Sequence, residues 1–125
     1  MMSHQISAEE MSVYIHTARE RWLAEQQELE LRRKRAWELA IEAGRRLKEK
    51  YGVPRVVVFG SLLCEERFTL WSDVDIAAWG LTTENWLKAI SEVRHLSSEV
   101  EINLVDVACC PPELLATIER EGKEI

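Results

Sequence analysis

The stretch VVVFGS, residues 56–61, is followed after eleven residues by DVDIAAW, residues 73–79. Four apolar residues that end in Gly-Ser predict a buried strand that runs into a tight turn. The second apolar run predicts another strand, and it carries two carboxylates. Because side chains two apart in a strand point to the same face, Asp73 and Asp75 should project together, with Val74 and Ile76 buried behind them.

The residue types in this stretch suit a site for a metal ion and a phosphate. Two adjacent carboxylates repel each other unless a cation lies between them, and hard oxygen ligands suit Mg²⁺ or Mn²⁺. Gly60 lets the backbone approach a ligand closely, and Ser61 offers a hydroxyl beside backbone N–H groups, which suits a phosphate. Together they indicate phosphoryl or nucleotidyl transfer. The plainer alternative is that Asp73 and Asp75 are turn residues and that Gly60-Ser61 only ends a strand.

The order, spacing and apolar flanks of this pattern resemble the signature of the minimal nucleotidyltransferases (MNT type), which belong to the superfamily related to DNA polymerase beta. The resemblance covers the chain from about residue 50 to its C-terminus. It implies an α/β fold, with a small mixed β-sheet flanked by helices. It also implies a Mg²⁺-dependent or Mn²⁺-dependent enzyme that moves a nucleoside monophosphate from a triphosphate, with ATP expected, to a hydroxyl. In that scheme Asp73 and Asp75 hold the metal, and Gly60 and Ser61 bind the phosphates.

Nucleotidyltransferases of this type commonly use a third acidic residue on a neighbouring strand. The matching segment here is INLVDV, residues 102–107, and Asn103 occupies the third-acid position. Asp106 has the opposite parity and should face away from the site. Glu101 has the parity of Asn103 and could reach the site with its longer side chain. Two alternatives follow: Glu101 and Asn103 complete a catalytic site with Asp73 and Asp75, or the neutral Asn103 leaves a catalytically degenerate binding protein.

The resemblance also implies a partner. MNT domains are often the antitoxin half of a toxin–antitoxin pair with a helical HEPN-type ribonuclease, and they can neutralise that toxin by adding AMP to a tyrosine. The expected partner is therefore a HEPN-type protein. The chain would modify it as an enzyme, or it would neutralise it by forming a complex.

The N-terminal part of the sequence is helical in composition. Ser7 with Glu10 forms a capping-box pattern, and no proline occurs from there to Tyr51. The segment predicts either one helix of about 43 residues, about 65 Å long, or two helices that meet near residues 26–35. We divide the chain into an N-terminal helical arm, residues 1–34, and a nucleotidyltransferase domain, residues 35–125.

The arm carries a stripe of apolar residues at helical spacing. The stripe consists of Met11, Tyr14, Ile15, Ala18, Trp22 and Leu23. If the arm folds back, this stripe belongs to the core. If the arm projects, the stripe is an exposed apolar face that needs a partner or a second copy of the chain, and we favour this alternative.

A basic run, Arg32 to Arg35, follows the arm. It first indicates a solvated helix face, and the functional alternative is a contact for nucleotide phosphate, RNA or an acidic partner. Residues 1–51 carry a net charge of +1 and residues 52–125 one of −7, for −6 in all. Free nucleic acid is therefore not an expected partner. The acidic half should accept a nucleotide only if metal ions screen its phosphates.

The remaining features bound the class of protein. A length of 125 residues and an apolar fraction of 46% predict one globular domain. No apolar run is long enough to span a membrane, and the first 15 residues lack the pattern of a signal peptide, which predicts a cytoplasmic protein. The three cysteines do not form a disulfide framework. Beyond the second strand, we expect a helix from Thr82 or Thr83 to about His95, a strand over residues 99–107 and a helix over residues 112–121.

Overall fold

The computed structural model describes residues 6–125 and confirms the predicted α/β fold with a small mixed sheet. In chain order the helices and strands are α1 (Ala8–Tyr51), β1 (Arg55–Phe59), β2 (Val74–Trp79), α2 (Trp86–Arg94), β3 (Ile102–Asp106), α3 (Pro112–Glu121) and β4 (Lys123–Glu124). Two short 3₁₀ turns, Gly60–Leu63 and Val107–Cys109, follow β1 and β3. The strand order is β3-β2-β1-β4. Strand β1 is antiparallel to β2 and β4, whereas β2 and β3 are parallel.

The N-terminal segment is one continuous helix of 44 residues, which is about 66 Å long. The Ser7 hydroxyl accepts a hydrogen bond from the Glu10 amide at 3.1 Å, as the capping pattern predicts. Gly52 ends the helix in the left-handed conformation, with φ of 65°. The boundary that we placed between residues 34 and 35 lies inside this helix. No helix within residues 6–125, α1 included, is both long and apolar enough to cross a membrane.

The C-terminal half of α1 packs on the sheet through small residues. Its buried residues are Ala36, Leu39, Ala40, Ala43, Gly44 and Leu47. Alanine and glycine at this face let the helix axis approach the sheet closely. Helices α1 and α2 cover the face that carries Val58, Val74 and Ile76, and α3 covers part of the opposite face through Ile118, which packs on Val57.

The arm does not fold back onto the domain. Every residue from 8 to 28 is exposed, and Leu29 is the first that packs against the core. Tyr14 is 68% exposed and Trp22 is 59% exposed, although both are large and apolar. Of the two alternatives for the stripe, the structure therefore shows the exposed one.

Helix α2 begins later than predicted. Thr82 and Asn85 cap each other. The Thr82 hydroxyl accepts a hydrogen bond from the backbone N–H of Asn85 at 3.3 Å, and the Asn85 side-chain oxygen accepts one from the backbone N–H of Thr82 at 3.0 Å. This closes a separate turn, and the regular helix starts at Trp86. Leu87 in this helix is 64% exposed, although it is large and apolar.

The third strand is shorter than predicted at both ends. The Ser97 hydroxyl accepts hydrogen bonds from the amides of Glu99 and Val100, which holds that segment in a turn. The Asp106 carboxylate accepts from the Ala108 amide and starts the second 3₁₀ turn. Helix α3 has the predicted bounds, and β1 covers the predicted apolar run together with Arg55. The short strand β4 was not predicted, and the three cysteines are free thiols.

The packing of α1 predicts a sharp contrast between two leucines of the same helix. Leu47 is fully buried, so Leu47→Ala should lower the free energy of unfolding by about 3 kcal/mol, because it leaves a cavity against the sheet. Leu31 is 68% exposed, and Leu31→Ala should change the free energy of unfolding by less than about 0.5 kcal/mol. Urea unfolding of both variants measures the difference. Equal losses would contradict this account of the core.

Candidate functional site

The candidate site lies at one edge of the sheet, where β1, β2 and β3 meet. Asp75 is paired with Phe59 across the antiparallel ladder and with Asn103 across the parallel ladder. Asp75 and Asn103 have the parity of Ala77, so they lie on the α3 face of the sheet, where both are only half-buried. The buried neighbours Val74 and Ile76 pack on the opposite face, as predicted.

Asn103 and Gly60 both lie close to the Asp75 carboxylate. The Asn103 side-chain amide donates a hydrogen bond to Asp75 Oδ1 at 3.2 Å. Gly60 has φ of 80°, and a Cβ built on it would lie 2.5 Å from Asp75 Oδ2. Only glycine therefore fits at residue 60, both in conformation and in space. The turn that we assigned to phosphate and the carboxylate that we assigned to metal lie in direct contact.

Negative charge accumulates around Asp75. Burial raises the pKa of the Asp75 carboxyl, and the hydrogen bond from Asn103 opposes this. The carboxylates of Asp73 and Glu101 raise that pKa further. Since its pKa is raised on folding, Asp75 binds its proton more tightly in the folded state, and its ionisation at neutral pH costs stability. A cation at this edge would remove that cost.

Glu101 lies near enough to Asp75 for its charge to raise the pKa of that carboxyl. Its carbonyl accepts from the Val74 amide at 2.9 Å, which joins the start of β2 to the segment before β3. Asp73 and Glu101 line the same groove, a cavity of about 500 Å³. The Glu101 carboxylate also forms an exposed ion pair with Arg94 at 3.5 Å. Asp106, in contrast, lies at the far end of β3 and caps the second 3₁₀ turn.

The donor set fits a divalent ion that binds together with a nucleotide. No group of three or more His, Cys, Asp or Glu side chains within residues 6–125 is arranged to hold a metal. Asp73 and Asp75 supply two carboxylates, and Mg²⁺ is commonly bound by one or two carboxylates plus phosphate oxygens and water. Gly60 and Ser61 begin the 3₁₀ turn beside Asp75, where a phosphate would complete the coordination.

Two arginines of the basic run contact segments that adjoin the site residues. Arg32 donates to the carbonyls of Ser72 and Glu99, and Arg33 donates to the carbonyl of Leu62. The first interpretation of this run, a solvated face, was wrong for these two residues, whereas Arg35 is exposed as expected. Arg32 and Arg33 precede the buried Ala36 by four and three residues, so helical periodicity was the signal that could have placed them against the sheet.

Comparison with known proteins supports the fold. No family model matches the chain, and no curated protein matches it. It is similar to a crystal structure of the toxin–antitoxin MntA-HpeT carrying a Tyr-to-Ala mutation, with 22% identity, a TM-score of 0.50, and 68% of this chain and 67% of the other covered. A second MntA-HpeT structure, with two Asp-to-Glu mutations, gives 20% identity, a TM-score of 0.50, and coverage of 67% and 66%.

A third similar structure is a rebuilt one of the tri-AMPylated Shewanella oneidensis HEPN toxin in complex with MNT antitoxin. It has 17% identity, a TM-score of 0.43, and coverage of 77% and 70%. The chain spans about two thirds of the length of the MntA-HpeT chains that it matches. The likeness to the MntA-HpeT structures confirms the predicted fold, a small mixed sheet flanked by helices. At these identities the likeness extends to the fold alone.

The negative charge around Asp75 predicts that Asp75→Asn makes the protein more stable than the wild type without ligand and less stable than the wild type with metal and nucleotide. In EDTA, Asp75→Asn should raise the free energy of unfolding at neutral pH, because it removes a carboxylate that burial, Asp73 and Glu101 all disfavour. With Mn²⁺ and a non-hydrolysable ATP analogue at about 100 times Kd, the wild type should gain about 2.7 kcal/mol. The variant should gain much less.

Urea unfolding under both conditions measures the two effects, with Glu65→Gln as the control for an exposed carboxylate. Equal stabilisation of wild type and Asp75→Asn by the metal and nucleotide would contradict the assignment of Asp75 to the site.

Proposed function

We propose that this chain is an MNT-type nucleotidyltransferase that uses Mg²⁺ or Mn²⁺. It transfers a nucleoside monophosphate to a hydroxyl of a partner protein, and the proposed donor is ATP, which supplies AMP. The observation that carries the proposal is the strand register that sets Asp75 beside Asn103, with the Gly60 turn against the same carboxylate. Asp73 and Glu101 add negative charge at this edge. A phosphate turn beside clustered carboxylates suits a nucleotide bound with a divalent ion. ATP as the substrate agrees with the predicted location in the cytoplasm.

Each residue of the site has a role in this reaction. The backbone amides of Gly60 and Ser61 bind phosphate, Asp73 and Asp75 hold the ion, and Asn103 fixes the orientation of the Asp75 carboxylate through its amide. When bound, the ion screens the charge of the phosphates. Glu101 takes the proton of the acceptor hydroxyl as the hydroxyl oxygen bonds to the α-phosphorus. The bond from that phosphorus to the bridging oxygen breaks, and pyrophosphate leaves.

A second function is favoured by one observation. Asn103 stands in the third-acid position, where it is neutral and donates to Asp75, and the nearest substitute, Glu101, is already paired with Arg94. A chain without a third metal-binding carboxylate would bind nucleotide or partner but would not transfer. In this alternative the protein is a degenerate MNT-fold antitoxin that neutralises a HEPN-type toxin by complex formation.

The exposed arm is the proposed contact for that partner. Its apolar stripe continues the helix face that is buried on the sheet from Ala36 onward, yet residues 8–28 touch nothing that would cover it. The likeness to chains of the toxin–antitoxin MntA-HpeT supports a toxin as the partner. A second copy of this chain could cover the same stripe, so self-association through the arm is the competing arrangement.

Transfer is tested with the purified chain, a HEPN-type toxin and Mg²⁺ with α-labelled ATP. We expect the partner to gain the mass of adenylyl groups, and Asp73→Ala to lower the rate by at least about 100-fold. Asn103→Asp should raise the rate, because it restores a third carboxylate, and Asp106→Asn is the control outside the site. An intact complex without any adduct would overturn the enzyme and support the degenerate binding protein.

The role of the arm is tested by Trp22→Glu, which places a charge on the stripe. We expect Trp22→Glu to weaken binding of the HEPN-type partner by at least about tenfold without changing the free energy of unfolding, because Trp22 is 59% exposed. Gln27→Glu is the matched control, also exposed on the arm. Calorimetry measures the affinity for the partner, and sedimentation of the chain alone measures self-association. Unchanged partner affinity would contradict this contact.

A further inference from the structure

Helix α1 crosses behind both halves of the candidate site and touches each with one arginine. The two terminal nitrogens of Arg32 donate to the main-chain carbonyls of Ser72 at 3.1 Å and Glu99 at 3.3 Å. Ser72 directly precedes Asp73, and Glu99 lies two residues before Glu101. One guanidinium therefore joins the two segments that lead into the carboxylate-bearing strands.

Arg33 makes the corresponding contact on the phosphate side. Its Nη2 donates to the carbonyl of Leu62 at 3.0 Å. Leu62 is fully buried and belongs to the 3₁₀ turn that begins with Gly60. A hydrogen bond from a charged donor thus joins the turn to α1, and Gly60 of the same turn lies close to the Asp75 carboxylate.

Burial of these two arginine side chains carries a free-energy cost that an apolar side chain would not have. The Nε atoms of Arg32 and Arg33 are both buried without a hydrogen-bond partner. Such an atom loses its hydration and gains nothing in return. An aliphatic side chain would fill these positions without that loss. Arginine instead supplies donors that reach main-chain carbonyls from α1: two carbonyls in separate segments for Arg32 and one carbonyl for Arg33.

We propose that Arg32 and Arg33 are positioning residues of the transfer site, with separate tasks. Arg32 holds the carboxylate side, through the segments that carry Asp73 and Glu101. Arg33 holds the phosphate side, through the turn of Gly60 and Ser61. The proposal rests on the proposed function for its kinetic consequences, and on metal and nucleotide binding for a test that needs no turnover.

The division of tasks gives each arginine its own signature. Loss of Arg32 lets the carboxylates separate, so metal affinity and kcat should fall while KM for the nucleotide stays near its original value. Loss of Arg33 loosens the phosphate turn, so KM should rise while metal affinity is kept. A purely structural role would move all of these quantities together with the stability.

The experiment compares Arg32→Met and Arg33→Met, which keep the apolar stem and remove the donors. Arg35→Met is the matched control from the same basic run, because Arg35 is exposed and pairs only with Glu38 among the ion pairs of the described residues, at 3.6 Å. We measure Kd for Mn²⁺ by paramagnetic resonance at a saturating ATP analogue, Kd for the nucleotide, and KM and kcat for transfer.

We expect Arg32→Met to weaken Mn²⁺ binding and to lower kcat, each roughly tenfold. Arg33→Met should raise KM and the nucleotide Kd by a similar factor. Arg32→Lys should recover part of the loss, because an ammonium group can reach one carbonyl but not hold both. Arg35→Met should behave as wild type.

Equal effects of the two variants on Mn²⁺ and nucleotide binding would overturn the proposal, and so would values at wild-type level in both. A wild-type chain that binds metal and nucleotide but does not transfer refutes the proposed reaction alone, since the two binding constants still separate the tasks of the arginines. A wild-type chain that binds neither ligand overturns both.

Discussion

The like charge of Asp73, Asp75 and Glu101 at one edge of the sheet is the constraint on which the rest of the structure depends. Ionisation of the half-buried Asp75 carboxyl opposes folding, because burial and the charges of Asp73 and Glu101 raise its pKa. The surrounding elements offset it: alternation buries Val74 and Ile76 behind the strand, Asn103 donates to Asp75, and the rest of the core consists of apolar side chains. A region that is kept under such repulsion is suited to a cationic ligand.

Helix α1 is the element that holds this edge in place. Its alanine-rich face lets it lie close to the sheet, and this closeness brings the two arginines within reach of carbonyls in three separate segments. Those segments, which contain Leu62, Ser72 and Glu99, have no regular strand pairing of their own at these residues. The geometry of the site therefore depends on the helix as much as on the strands that carry its side chains.

The sequence was sufficient where local chemistry decides the outcome. The first apolar run predicted β1, the helix expected over residues 112–121 is α3, and parity placed Asp75 on the face opposite Val74. It was insufficient where the structure of a segment depends on a contact with a residue distant in the sequence. Strand β4 has two residues, too few for any periodic signal, and the direction of Arg32 depends on which face of α1 packs. The hydrogen bond from Asn103 to Asp75 required the register of the parallel pair, which no local pattern specifies.

The arm has a consequence for how this protein can change over time. None of its residues from 8 to 28 is buried, so substitutions there alter the surface offered to another protein at almost no cost to folding. The residues near Asp75 have no such freedom, because Gly60 and Asn103 are each tied to the same carboxylate. Under the proposed function, the choice of partner and the chemistry therefore depend on separate parts of the chain, and substitutions can change the first while they leave the second intact.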